Sequence, residues 1–140
     1  MRRVLPEGGV RLFAAMPVAD RRHALDVAYR LLVAGHDDRD LLGAALLHDA
    51  AKGHRMRLWH RVGGVLLEAL APSVLRRLAN PDPGSWRHPF HLYLHHGPMS
   101  AALAAESGCA SRVGAFIRGE MTSAADERLL AALRKADDAG

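Results

Sequence analysis

Residues 41–53 read LLGAALLHDAAKG, a run of small and apolar residues that leads directly into an adjacent His-Asp pair. The run has helical spacing. Leu41, Ala44, Ala45 and His48 share one face, and Asp49 continues the neighbouring stripe of Leu42, Ala45 and Leu46. Both polar residues are therefore aimed at the core. A carboxylate buried without a partner costs several kcal/mol or more unless it is paired or ligates a cation. Whatever fold this chain adopts must supply such a partner beside Asp49, either a cation or the nearby Lys52 or Arg55.

The rest of the chain supports an all-helical frame for that pair. Ala, Leu and Val dominate the 49% hydrophobic content and aromatics make up only 5%, which favours helices over sheets. Helix signals divide the 140 residues into segments. Residues 1–9 read as an N-terminal arm, followed by a short helix from Val10 to Met16. Pro17 opens a helix to Ala34, with Gly35 as its stop. Asp37 or Asp38 caps a helix from Asp40 to Lys52, and Gly53 ends it. Further helices are expected over 58–70 and 72–79. The sequence Asn80-Pro81-Asp82-Pro83-Gly84 is a loop. Gly97-Pro98 fits a helix start running to Ser107, with Gly108 as the break. The last helices cover 111–120 and, after a Ser123 cap, 124–139. The expected fold is all-α, seven or eight helices in one domain over residues 10–140.

Bulk properties narrow the function. The formal charge is +4 and the basic excess is almost all Arg. Its sign suits a phosphate-bearing partner, but no helix gathers Arg on one face, so nucleic acid is not expected. Cys109 stands alone, which leaves no disulfide framework and fits a reducing cytoplasm. No apolar run is long enough for a membrane span, and Arg2 and Arg3 precede no apolar stretch of the signal-peptide kind.

Helical spacing adds residues to the His-Asp pair. His23 lies on the stripe of Val27, Leu31 and Ala34, and Asp137 follows Leu130 and Leu133, whereas Asp138 turns away. Neutral imidazole and carboxylate suit Mn, Fe, Co, Ni or Zn. Taken singly, His23 reads as a hydrogen-bonded core residue and Asp137 as a surface residue at a helix end. Together they offer one ion ligands from three helices.

ALLHDAAKG at 45–53 resembles the signature of the HD-domain superfamily, metal-dependent phosphohydrolases that include small stand-alone bacterial members. RHALDVAYRLL at 22–32 resembles the helix with that family's first His, and LLAALRKADDA at 129–139 the helix with its last Asp. LHHGPMSAALA at 94–104 resembles the segment with an additional His. The resemblance implies an HD-type helical domain with a divalent transition metal on His23, His48, Asp49 and Asp137. Family members with two ions hold the second on the counterpart of Asp49 and two further His ligands, one of which His96 matches. Glu120 stands where the other would be, with His91 and His95 as substitutes. The resemblance also implies hydrolysis of a phosphate ester or anhydride, of a nucleotide or another phosphate-bearing small molecule. Asp49 and Lys52 would then be catalytic, and Lys52, Arg22 and Arg118 would contact phosphate. A homodimer is compatible with it. A diiron oxygenase and a non-catalytic nucleotide- or metal-binding module remain as alternatives.

Overall fold

The computed structural model describes residues 3–52, 73, 76, 81 and 88–139, the last group with backbone only over 88–96. Among these the chain is all-helical, with no strand. Six helices are formed: α1 (Glu7–Ala15), α2 (Val18–Val33), α3 (Arg39–Leu47), α4 (His88–Glu106), α5 (Ser111–Arg118) and α6 (Ala124–Asp138). The helix expected over 58–70 lies outside the described residues. Of the one over 72–79 only Ser73 and Arg76 are described, and both are helical. Among the described residues no helix is long and apolar enough to cross a membrane.

Helix α3 is the centre. Asp38 caps it by accepting from the amides of Asp40 and Leu41, each at 3.0 Å. Every residue from Leu41 to Leu47 is buried, so this helix is covered on all sides. It packs on α1, α2, α4, α5 and α6; α2 also packs on α6, and α4 on α5. Gly35, in the left-handed region at φ 86°, ends α2 as expected, with the His36 amide bonded back to the Leu31 carbonyl. Ser123 caps α6 by accepting from the Asp126 amide.

The structure corrects three expectations. Helix α3 stops at Leu47, not Lys52, and His48 is its C-cap residue. The next amides turn away from the helical ladder: Ala50 donates to Leu47 and Lys52 to Asp49 in tight turns, and Ala51 donates to the buried Ser100 hydroxyl on α4 at 3.0 Å. Ser100 thus takes a donor that a continuing helix would use. Pro98 does not open a helix either; it sits inside α4. An internal proline costs a helix about 3 kcal/mol. Here Ser100, Ala101 and Ala104, all buried just beyond it, hold the segment helical through tertiary packing. The helix start expected at Gly97-Pro98 is therefore not formed. Finally, the arm before residue 10 is partly folded. Helix α1 begins at Glu7, and Leu5 is packed into the core at 2% exposure.

A charged clasp ties α3, α5 and α6. The Arg112 guanidinium donates to both oxygens of Asp38 at 2.8 Å and to Asp126 at 2.6 Å, with Asp40 at 3.4 Å, and it lies 4.9 Å from the Phe116 ring centroid. Bonding to Arg112 and Ser123 holds the Asp126 carboxyl below its usual range. At Asp38 burial opposes ionisation, but the Leu41 amide and Arg112 outweigh it and the pKa is again lowered. Carboxylates with depressed folded values add stability above the ordinary Asp pKa and lose it as pH falls through the depressed value. Arg112→Met should therefore lower the urea midpoint at pH 7, and the gap from wild type should narrow below about pH 4. Urea titrations at pH 7, 5 and 3 check this.

Candidate metal centre

Three helices bring four expected residues together. His23 lies midway along α2, His48 and Asp49 follow the last residue of α3, and Asp137 is in the last turn of α6. His23 Nε2 is 2.7 Å from Asp137 Oδ1, and His48 Nε2 is 3.3 Å from the same oxygen and 3.6 Å from Asp49 Oδ2. The two imidazole rings meet edge to face, 5.4 Å between centroids. Ligand atoms of His23, His48 and Asp49 all lie within 4.8 Å of one another. Asp137 adjoins them through both rings, while Asp138 is exposed, as the helical spacing expects.

The donor set fits a cation. His48 Nδ1 is 2.9 Å from the Ala45 carbonyl, which can only accept, so Nδ1 carries the hydrogen. In the neutral ring Nε2 then holds the lone pair and points between two carboxylates. That buried nitrogen makes no well-formed hydrogen bond. A backbone carbonyl fixing the tautomer of a ligating His is a recurrent feature of metal sites. Asp49 is 1% exposed, and its Oδ1 meets the Lys52 ammonium at 2.6 Å, which leaves Oδ2 on the His48 side.

The electrostatics agree. Burial opposes charging of His48, but the Asp137 and Asp49 carboxylates and the Ala45 carbonyl outweigh it and raise its pKa above the usual value. The close approach of the His48 imidazole, against the effect of burial and with further help from His23, holds the Asp137 carboxyl well below the carboxylate range.

The other expected residues differ in placement. Glu120 is exposed and bonds to Arg118 Nε at 2.8 Å rather than to the cluster. Arg22 is exposed on α2. Lys52 is engaged by Asp49, which makes it a positioning partner of the carboxylate. The side chains of His91, His95 and His96 lie outside the described residues. Arg118 lines a cleft of about 160 Å³ whose wall also includes His48, Asp137, Leu133, Gly119 and Arg134. Arg134 was not singled out from sequence, although it precedes Asp137 by three residues and so shares its helix face. Ser100 and the Ala45 carbonyl were also missed; no periodicity marks a hydroxyl or a carbonyl as a site partner.

No family model, no curated protein and no solved structure matches the chain. The site therefore rests on its own geometry, which makes two predictions. Lys52→Met removes the partner of a buried carboxylate and should destabilise the metal-free protein by about 3 kcal/mol. Added Mn²⁺ should recover more stability in this variant than in wild type, read as thermal midpoints with and without the ion. The second concerns pH. A raised His48 pKa gives stability that is complete below about 6.5 and lost as pH rises through the raised value. An ion must displace that proton, so affinity should climb with pH across the same window, with proton release on binding. Calorimetry in buffers of different ionisation enthalpy measures both.

Proposed function

We propose that the protein is a metal-dependent phosphohydrolase of the HD type. The observation that carries this reading is the meeting of His23, the His48-Asp49 step and Asp137 at one point, from helices far apart in sequence. These are the four positions at which the sequence resembles the HD-domain ligand set. The cleft beside them is also lined by Arg134, whose positive charge suits an anionic substrate.

His23, His48, Asp49 and Asp137 would hold a divalent ion, which would lower the pKa of a water and offset charge on phosphoryl oxygens. The chain's own residues do the rest. The Ala45 carbonyl fixes the His48 tautomer, and Lys52 holds the Asp49 carboxylate in place without entering the cleft. Asp137 Oδ1 lies within reach of both imidazoles and would complete the ligand set from α6. The Leu133 and Phe116 side chains give the cleft an apolar wall, which limits water around the charged groups.

The diiron reading needs a second ion. Glu120, expected to help hold it, is turned to Arg118, so a single-ion hydrolase is the better supported choice.

The test is a panel of phosphomonoesters, phosphodiesters and nucleotides with Mn²⁺, Co²⁺ or Ni²⁺. Turnover should appear with at least one pairing and should fall by about a hundredfold or more in Asp49→Asn and His48→Ala. Stoichiometric ion binding with no turnover on any substrate would instead establish a non-catalytic module.

A further inference from the structure

Among the described residues, the cleft beside the metal centre contains one cation that the fold does not use. Arg118 is occupied: its Nε donates to Glu120, and its Nη1 lies against its own helix at Gly114. Lys52 is held by Asp49. Arg134 differs. Among the described residues no carboxylate lies within ion-pair distance of it, yet it lines the same cleft as His48 and Asp137. Its guanidinium lies over the end of α5 at Gly119. That glycine has φ 74°, and a Cβ there would come within 2.8 Å of Arg134 Nη2. Two requirements thus coincide at Gly119, a left-handed backbone and room for the guanidinium. The helix end and the arginine fit one another, one turn of α6 before the Asp137 ligand.

We infer that Arg134 binds the non-bridging oxygens of a terminal phosphate and so selects phosphomonoesters or polyphosphate ends over phosphodiesters. This rests on the phosphohydrolase reading and specifies its substrate class. A guanidinium presents paired N–H donors in a fixed fork that matches two oxygens of one phosphate. A phosphoryl group that gives two oxygens to the fork and one to the metal needs three that are non-bridging. A terminal phosphate has them, whereas a diester phosphate has two. The size of the cleft agrees. At about 160 Å³ among the described residues, it is smaller than the roughly 300–1,000 Å³ of pockets that engulf a whole drug-sized ligand. It suits a phosphoryl group and the atoms next to it.

Inorganic phosphate titrated calorimetrically into metal-free and Mn²⁺-loaded protein is the direct probe, beside kcat and KM for p-nitrophenyl phosphate and bis-p-nitrophenyl phosphate. Arg134→Gln should weaken phosphate binding about tenfold or more in both forms. It should raise KM for the monoester more than it lowers kcat, affect the slower diester reaction less, and leave the manganese content unchanged. Arg134→Lys should restore part of the phosphate affinity. Arg134 is exposed, so both variants are expected to fold. If phosphate affinity and monoester KM do not move in Arg134→Gln, or if wild type prefers the diester, the inference is overturned while the hydrolase reading stands. If manganese-loaded wild type neither binds phosphate nor cleaves either ester, the hydrolase reading fails and takes this inference with it.

Discussion

The charge on Asp49 sets the terms for everything around it. A carboxylate at the end of a fully covered helix, 1% exposed, persists only if positive groups meet it inside the protein. Lys52 meets one oxygen from the turn that follows α3, and the His48 ring meets the other. That turn exists because Ser100 draws the Ala51 amide out of the helical ladder. The position of α4, the end of α3 and the ionisation of Asp49 are therefore one linked arrangement. His48 cannot be considered apart from it, since its ring is oriented by a carbonyl from the helix that Asp49 terminates.

Much of the fold could be read from sequence because helix ends are written in local chemistry. Asp38, Ser123 and Gly35 each act within a few residues of where they stand, and each does what its type predicts. The errors came where distant contacts override local signals. Pro98 is a strong breaker in isolation, and packing of the next turn overrides it. Ala50 and Ala51 are strong helix formers, and a hydroxyl 49 residues away still redirects the chain. Leu5 precedes a proline and a glycine pair that suggest an arm, yet one apolar side chain is enough to anchor that segment in the core.

The site was legible to a similar extent. Inward-facing His and Asp residues can be found from periodicity, because a polar residue on an apolar stripe violates the pattern. His23, His48, Asp49 and Asp137 were all visible in this way, and the structure brings them together. Residues that work from the rim follow no such rule. Arg134 is exposed and unremarkable in a chain rich in Arg, and only the cleft distinguishes it. Glu120 shows the opposite failure: it fits a ligand position by alignment of motifs, but its side chain is taken by Arg118 two residues earlier.

Asp137 occupies the last turn of α6, where the helix dipole is negative and a carboxylate is unfavourable. Terminal turns are also the part of a helix that opens first. The hydrogen bond between His23 and Asp137 spans 114 residues of sequence and, with the Arg30 bond to the Ala136 carbonyl, ties the C-terminal helix to α2. Positive charge at this point, whether from an imidazolium or an ion, neutralises the dipole and pins the turn. The C-terminal turn of α6 is thus a latch: fraying there would move Asp137 without disturbing the core that holds His48 and Asp49.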